Sequence, residues 1–335
     1  MANRDLLAIG TSAGGFEALR FLAGEFSRDI PASILVTIHL PSQFRSTLDA
    51  ILTQTGPLPA SFAVDGEKLE RGHIYIAPAE RHLIVDGDRL RLGSGPRENN
   101  ARPSLDPLFR SVALCCAPRA VGAVLTGTLG DGAAGLLALK QAGGITVVQD
   151  PSDAAFPEMP TTALLRSQPD HVVGLAGMPA LFDELVRQPA GQPMSVTSDL
   201  KYEVNIASGG RGSMSEMDRI GRRSVLACPD CHGVMWEIEG DDLLRYRCHV
   251  GHAYSAEIMS IALDESLKRA FGSALRALDE RVALARKLEA QASKSGRTGI
   301  AESWAAKALE LEAEAKIIRD SIRRTDEIAA RFAAG

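Results

Sequence analysis

The first half of the sequence alternates between short apolar segments and amphipathic segments, and this alternation constrains the fold more than any other feature. DLLAIG and SILVTIH have the length and composition of buried strands, and FEALRFLAGEF has the spacing of a helix. An alternating stretch with a turn at Asp86-Gly87-Asp88 predicts one antiparallel hairpin. Residues 1–187 are therefore predicted to form an α/β domain with a doubly wound, mostly parallel sheet and helices on both faces.

Three further segments follow this domain. Residues 188–223 are rich in glycine, proline and serine around one short helical pattern, Asp199–Ala207, and this composition predicts a linker. Residues 224–254 hold a compact group of cysteines and histidines, which predicts a small zinc-ribbon-like module. Residues 255–335 are rich in Ala, Leu, Glu, Lys and Arg at helical spacing and are interrupted once, at SKSGRTG. This pattern predicts an α-helical hairpin.

Charge and hydropathy argue against two classes of partner. The net charge is −5 and the pI is about 5.9, so the overall charge does not favour binding to nucleic acid or to an anionic membrane. The N-terminal MANRDLLAIG lacks the features of a secretory signal. The most apolar region, 121–148, is interrupted by Asp131, Lys140 and several glycines. We therefore expect a cytoplasmic protein that neither binds nucleic acid nor inserts into a membrane.

A serine lies in a glycine-rich turn between the first predicted strand and the first predicted helix. The motif GTSAGG would hold the Ser12 hydroxyl at the edge of the sheet, where it could act as a nucleophile. The N–H of Ala13, at the positive end of the helix, would be an oxyanion donor. A turn of this kind also binds phosphates in dinucleotide-binding folds, so the motif alone leaves a nucleotide-dependent enzyme open.

A histidine and an aspartate follow two other predicted strands. His39 ends the second strand, and Asp131 lies between glycines after a later strand. Because the carboxyl ends of parallel strands meet at one edge of a sheet, we predict a catalytic triad of Ser12, His39 and Asp131. The alternatives are an ordinary polar residue at a strand end for His39 and a helix N-cap for Asp131. His73 and His82, in the hairpin region, are predicted to be structural.

A second cluster consists of cysteines and one or two histidines. Cys228 and Cys231 form a Cys-x2-Cys pair, and Cys248 and His252 follow a hairpin-like spacer. This spacing predicts a structural zinc site with these four ligands, and His249 is the alternative to His252. Four protein ligands leave no open position for water, so no cofactor is predicted for catalysis. Unligated core cysteines are the alternative, and disulfides are not expected.

Several of these motifs, taken together and in order, resemble the catalytic domain of CheB, the chemotaxis protein-glutamate methylesterase. The resemblance runs from about Asp5 to Gly174 and includes GTSAGG, IHLP, VDGEKLERGHIYIAPAERHLIV, RPSLDPLFRSVA, LTGTLGDGAAGLLALKQAGG and QDPSDAAFPEMPTTAL. The family's serine, histidine and aspartate fall on Ser12, His39 and Asp131. The resemblance implies hydrolysis of glutamyl methyl esters on chemoreceptors with release of methanol, and in some members deamidation of glutamines.

Two features depart from the family pattern. Thr128-Leu129 stands where the family usually has Met-Gly, in the loop that leads to Asp131, so the rate or specificity is expected to differ. No receiver domain precedes the first strand, so we expect no regulation by phosphorylation in cis. The motif Arg102–Asp106 also matches the family, but it is an ordinary helix start and is assigned to architecture. Similar cysteine and histidine segments in some receiver-less CheB-like proteins support the zinc site.

The helical tail carries apolar residues at three-to-four spacing, among them Leu278, Leu311 and Ile317. Such a seam either closes on itself within the hairpin or binds a partner or a second copy. The first functional hypothesis is therefore a methylesterase acting on a methylated chemoreceptor or related signalling protein, directed to it by the zinc and helical parts. The second is a non-catalytic signalling scaffold that keeps the fold and binds partners through these parts.

Overall fold

The computed structural model describes residues 3–40, 46–238 and 244–333. Pro41 of the IHLP motif lies outside the described residues. The chain forms two compact units, Met1–Met259 and Ser260–Gly335. Within the described part of the chain, no helix combines the length and the apolar character needed to span a membrane.

A seven-stranded sheet lies at the centre of the first unit. Its strands are β1 (Leu6–Thr11), β2 (Ser33–Ile38), β3 (Ala60–Phe62), β4 (Ile74–Ile76), β7 (Ala120–Val124), β8 (Ile145–Gln149) and β9 (His171–Val173). The strand order is β3-β4-β2-β1-β7-β8-β9, and every pairing is parallel. The chain builds outward from β1 on one side and then from β7 on the other. The point where the direction reverses, between β1 and β7, is where such sheets place their functional sites.

Helices cover both faces of this sheet. They are α1 (Gly15–Glu25), α2 (Leu48–Thr55), α3 (Leu105–Cys116), α4 (Ala133–Gln141), α5 (Glu158–Ser167) and α6 (Met178–Arg187). Alternate residues of β1 point to opposite faces: Leu6 and Ala8 join a core with α3, α4 and α5, whereas Leu7 and Ile9 join a core with α1, α2 and α6. The predicted doubly wound α/β fold is therefore confirmed.

The predicted antiparallel hairpin forms a separate two-stranded ribbon beside the sheet. Its strands are β5 (His82–Asp86) and β6 (Arg89–Gly93), and they pair in antiparallel register. The turn between them contains Gly87 in the left-handed region, at φ 65°. The seven-stranded sheet itself therefore stays fully parallel.

The segment predicted to be a linker contains two helices, and the first of them is packed against the α/β part. It contains α7 (Ser198–Ser208), which covers the predicted short helix, and α8 (Met214–Ile220). Val204 and Ala207 of α7 pack against Ile84 of β5, and α7 also contacts α3. The structure thus differs from the expected linker, because apolar burial fixes α7 onto the α/β part of the same compact unit. The division of the chain into four parts stays a prediction.

A four-stranded antiparallel sheet completes the first unit. Its strands are β10 (Gly221–Ala227), β11 (Val234–Ile238), β12 (Arg245–Cys248) and β13 (Ala253–Ser255). We call residues 221–255 the Cys/His module. Its core is shared with α7 and α8, since Trp236 is buried with Tyr202, Ile206 and Met217.

Two long helices form the hairpin. They are α9 (Ala256–Lys294) and α10 (Thr298–Ala333), and Gly296 between them adopts a left-handed conformation with φ 68°. Ion pairs of α9 with α10 fix their antiparallel alignment: Lys268–Asp326, Asp279–Arg319 and Arg286–Glu312. The predicted helical hairpin is confirmed.

The seam of this hairpin matches the expected one in part: Leu311 is buried and Leu278 is half-buried, as expected. Ile317 is 65% exposed, whereas small residues seven apart are buried. They are Ala285 and Ala292 on α9 and Ala301, Ala308 and Ala315 on α10. The alanines recur every seven residues and are buried together with Leu311, whereas the larger Ile317 is not.

Candidate active site and metal centre

Ser12 lies in the tight turn between β1 and α1. Gly14 adopts a left-handed conformation with φ 74°, and a Cβ atom on Gly15 would lie 2.4 Å from Thr11 Oγ1. Both positions therefore require glycine. The backbone N–H of Ser12 donates to the carbonyl of Thr126 at 3.1 Å, which ties the turn to the segment after β7.

The structure brings the three predicted triad side chains together. Ser12 Oγ lies 2.9 Å from His39 Nδ1, and His39 Nε2 lies 2.9 Å from Asp131 Oδ2. The His39 side chain is 26% exposed and that of Asp131 is 2% exposed. In the neutral tautomer with its proton on Nε2, His39 donates to the buried carboxylate and presents an unprotonated Nδ1 to the serine hydroxyl. The arrangement can carry a proton away from Ser12.

Asp131 is surrounded by hydrogen-bond donors. Its Oδ1 accepts from Asn99 Nδ2 at 2.9 Å and from Ser104 Oγ at 2.7 Å, and its Oδ2 accepts from the Leu105 N–H at 2.8 Å. Burial acts to raise the pKa of Asp131, but the hydrogen bonds from His39, Asn99 and the Leu105 N–H outweigh burial and lower it. Asp131 is thus held as a carboxylate despite its burial, at the N-terminal end of α3.

A second buried carboxyl group lies next to Asp131. Asp106 Oδ2 accepts from Asn99 Nδ2 at 2.9 Å, and Asp106 Oδ1 accepts from the Gly135 N–H at 2.7 Å. Burial and the charge of Asp131 raise the pKa of Asp106 to about 6. One amide group, that of Asn99, therefore bridges two buried carboxyl groups.

Sequence reasoning missed the residues that surround Asp131. Ser104 and Asp106 belong to the Arg102–Asp106 motif, which was assigned to architecture, yet Ser104 donates directly to Asp131. The match of this motif to the family was the sequence signal that pointed to Ser104 and Asp106. Asn99 lies in a loop away from any strand end, so neither spacing nor strand position indicated it.

Ala13, the predicted oxyanion donor, directly follows Ser12. Its carbonyl accepts a hydrogen bond from Thr126 Oγ1 at 3.0 Å. Within the described residues, no acceptor takes the Ala13 N–H. This donor is therefore free to meet an oxyanion formed next to Ser12.

An open cleft of about 460 Å³ lies beside His39 and Asp131. Its lining includes Leu40, Glu80, Arg97, Arg102, Thr128 and Leu129. Glu80 bridges the two arginines, at 3.1 Å from Arg97 and 2.9 Å from Arg102. The cleft thus presents both apolar side chains and positive charge near the triad.

The Thr128-Leu129 loop has an unusual backbone. Leu129 has φ 65°, in the left-handed region that favours glycine, and its N–H donates to Glu158 Oε2 at 2.9 Å. This is the position at which the resemblance predicts glycine. The departure from the family pattern therefore places a strained leucine in the wall of the cleft.

The two histidines predicted to be structural, His73 and His82, lie outside the triad. His73 Nε2 lies 2.8 Å from Ser61 Oγ, but no carboxylate among the described residues holds its other ring nitrogen. His82 is fully buried, with Nε2 2.9 Å from the carbonyl oxygen of Pro96. Burial lowers the pKa of both imidazoles.

The four predicted metal ligands form one group in the Cys/His module. The ligand atoms of Cys228, Cys231, Cys248 and His252 all lie within 4.8 Å of one another. Cys231 Sγ is 3.6 Å from Cys248 Sγ, and His252 Nδ1 is 3.6 Å from Cys228 Sγ and 3.5 Å from Cys248 Sγ. Tetrahedral Zn²⁺ places its sulfur and nitrogen ligands about 3.5–3.8 Å apart. The group therefore fits zinc, and His249 is not part of it.

Comparisons with known proteins identify relatives of the α/β part. Residues 7–182 match the family model described as CheB methylesterase. The chain is 41% identical over 174 residues to protein-glutamate methylesterase/protein-glutamine glutaminase 1 of Xanthomonas euvesicatoria pv. vesicatoria, covering 51% of this chain and 48% of that protein. It is 38% identical over 192 residues to protein-glutamate methylesterase/protein-glutamine glutaminase 2 of Methanosarcina mazei, covering 55% and 52%.

A solved structure resembles the same part. The crystal structure of the Thermotoga maritima CheB methylesterase catalytic domain has a TM-score of 0.52 and 28% sequence identity. The match covers 56% of this chain and all of that one. The chain spans about half the length of the curated relatives that it matches.

Proposed function

This chain belongs to the CheB methylesterase family, and from that premise we propose that it hydrolyses glutamyl methyl esters of chemoreceptor proteins and releases methanol. The observation that carries the proposal is the continuous hydrogen-bonded series from Ser12 through His39 to Asp131. The three residues follow β1, β2 and β7, at the edge where doubly wound sheets place their active sites.

The proposed reaction proceeds through an acyl-enzyme. His39 Nδ1 removes the proton of Ser12 as Oγ attacks the ester carbonyl, and Asp131 stabilises the imidazolium that forms. The Ala13 N–H, at the positive end of α1, stabilises the oxyanion. His39 then gives its proton to the departing methoxide, so methanol leaves. Water, activated by the same imidazole, releases the glutamyl group from Ser12.

Glutamine deamidation is the second activity that we propose for the same site. The curated relatives are named both methylesterase and glutaminase. A side-chain amide would form the same glutamyl ester with Ser12, and ammonia would leave where methanol leaves. One nucleophile and one base therefore serve both substrates.

The test of the methylesterase proposal is the Ser12→Ala variant. Methanol release from methylated chemoreceptor is expected to fall by about 10³-fold or more, because the nucleophile is lost. Ser61→Ala is the matched control, since Ser61 also bonds to a histidine but lacks a carboxylate behind it. This control is expected to keep full activity. Equal turnover by Ser12→Ala and the unmodified protein would contradict Ser12 as the nucleophile. No turnover by the unmodified protein would contradict the esterase proposal and favour a scaffold.

We also propose that the Cys/His module binds one structural Zn²⁺ through Cys228, Cys231, Cys248 and His252. A closed set of four protein ligands stabilises a fold and leaves no position for a reacting water. Elemental analysis of the native protein is expected to find one zinc per chain. Cys231→Ser is expected to reduce this content, whereas Cys115→Ser, at an exposed cysteine outside the group, is not. Native protein without zinc would refute the site.

The partner of the helical tail and the cytoplasmic location stay predictions. We propose a methylated chemoreceptor or a related signalling protein as the substrate partner, in keeping with the esterase chemistry. Light scattering and cross-linking of the full chain distinguish self-association of the hairpin from binding to another protein.

A further inference from the structure

We propose that Asn99 is a positioning residue for Asp131, and that the Cys/His module holds Asn99 in the orientation this requires. The inference rests on the proposed function, because Asp131 matters as the third member of the triad. It links the α/β part to the Cys/His module, which were predicted from the sequence as separate domains.

Asn99 fixes the orientation of the Asp131 carboxylate. The Asn99 residue is 6% exposed, and its Nδ2 donates to Asp131 Oδ1 and to Asp106 Oδ2, each at 2.9 Å. With Oδ1 held by Asn99 and Ser104, Oδ2 is the oxygen that faces His39. Rotation of the carboxylate would break these bonds, so the Asn99 amide, together with the Ser104 hydroxyl, determines which oxygen meets the imidazole.

The Cys/His module determines which way the Asn99 amide points. The Asn99 Oδ1 accepts from the backbone N–H of Ser255 at 3.0 Å, and the Asn99 N–H donates to the carbonyl of Ala253 at 2.8 Å. Both partners belong to β13. Because the carbonyl end of the amide is taken by Ser255, the NH₂ end must face Asp131. Without the module, a flipped amide would place an acceptor against the carboxylate.

A buried ion pair anchors the module next to this amide. Glu98 and Arg247 are fully buried, with Arg247 Nη2 3.2 Å from Glu98 Oε2. Arg247 precedes Cys248 in the chain, and its Nη1 donates to the carbonyl of Gly251 at 2.9 Å. Breaking a buried pair of this kind is costly, because it leaves a charge without a partner. Arg247, next to the proposed ligand Cys248, is therefore paired with Glu98, the residue that precedes Asn99.

The decisive variant is Asn99→Gly. Asn99 has φ 51°, a conformation that glycine adopts without strain, so this change removes the amide and keeps the backbone. We expect kcat for methyl ester hydrolysis to fall about 10–100-fold with KM changed less than about twofold, because the variant loses orientation and not substrate contacts. Gln168→Gly is the matched control: an amide residue at φ 44° that caps the C-terminal end of α5, whose loss should leave kcat unchanged.

A spectroscopic measurement separates this inference from the proposed function. The proton between His39 Nε2 and Asp131 is expected to give a far-downfield NMR signal in ¹⁵N-histidine-labelled protein, identified by its loss in His39→Gln. Asn99→Gly should shift or broaden the signal, and Gln168→Gly should not. This readout needs no turnover, so it tests Asn99 even if the chain proves to have no esterase activity. An unchanged signal together with unchanged kcat in Asn99→Gly overturns the proposal.

Zinc removal tests the contribution of the module. In zinc-loaded full-length protein, the amides of Asn99 and Ser255 are expected to be protected from hydrogen exchange. Chelator treatment should increase exchange at both amides and broaden the His39 signal, while β1 stays protected. If the module exchanges freely and the His39 signal is unaffected, the module does not position Asn99. The zinc-loaded Asn99→Gly variant then still decides the role of Asn99 itself.

Discussion

Leu129 shows how one backbone angle can mark a departure from a family pattern. Its φ of 65° places a branched side chain in a conformation that costs about 1–2 kcal/mol for residues other than glycine. The hydrogen bond from its N–H to Glu158 partly offsets this cost. The leucine side chain is thus held at the wall of the cleft, where it can affect the choice of substrate.

Comparing Leu129→Gly with Leu129→Ala isolates the backbone cost. Both variants delete the leucine side chain, but only glycine relieves the positive φ. We expect Leu129→Gly to have a free energy of unfolding about 1 kcal/mol higher than Leu129→Ala. Urea unfolding of the two variants measures the difference. Equal stability would mean that the loop relaxes when the side chain is removed.

The sequence could predict that Ser12, His39 and Asp131 come together, but not what surrounds them. Ser12, His39 and Asp131 follow strands, and parallel topology brings strand ends together, so a one-dimensional pattern was enough. The spacing of Cys228, Cys231, Cys248 and His252 likewise predicted that these four side chains lie together. Asn99 reaches Asp131 from a loop, and its orientation depends on β13, more than 150 residues later. No local pattern encodes such a contact.

At the scale of elements, the periodicity of apolar residues predicted the helices well. The glycine and proline content was a poorer guide to the structure of the segments between them. The glycine- and proline-rich flanks of 188–223 suggested a linker, but α7 between them buries Val204 and Ala207 against β5. Glu203 looks like a solvent-exposed residue of this helix, yet it is 3% exposed and faces three arginines. Because its partners come from α3 and β12, its burial could not be read from α7 alone.

The hairpin illustrates a different limit. Helical spacing correctly predicted two long helices and the break between them. It correctly placed Leu311 on the inner face but missed Ala308 and Ala315 and wrongly included Ile317, because alanines carry little hydropathy signal compared with isoleucine. A heptad spacing of small residues is thus a signal for a buried helix face that hydropathy alone does not detect.

Within the first unit, a network of buried charges joins the α/β part to α7 and the Cys/His module. Glu98 and Glu203 are the acidic members, and Arg110, Arg245 and Arg247 are the basic ones. Burial acts to raise the pKa of each glutamate, but the arginines outweigh burial and lower it. The network therefore stabilises the folded unit only while both carboxylates are ionised.

This network should make the first unit sensitive to acid. A carboxylate whose pKa is lowered by folding contributes stability above its unfolded pKa, and the contribution is lost as the pH falls through the folded pKa. The free energy of unfolding is thus expected to decrease as the pH drops below about 4.5. Glu203→Gln should lower it at pH 7 by about 3–5 kcal/mol, since two buried arginines, Arg110 and Arg247, and the partly exposed Arg245 lose a partner. The variant should also weaken the dependence of stability on acid pH.

Fluorescence of Trp236 during urea unfolding measures this change, in a Trp304→Phe background that leaves one tryptophan in the chain. Asp199→Asn is the matched control on the same helix, because its side chain is 45% exposed and lies 3.8 Å from Arg219. An exposed pair of this kind contributes at most about 1 kcal/mol. If Glu203→Gln costs no more than this control, the charges do not hold the module to the α/β part. The contact would then rest on the apolar packing around Trp236 and on the hydrogen bonds between Asn99 and β13.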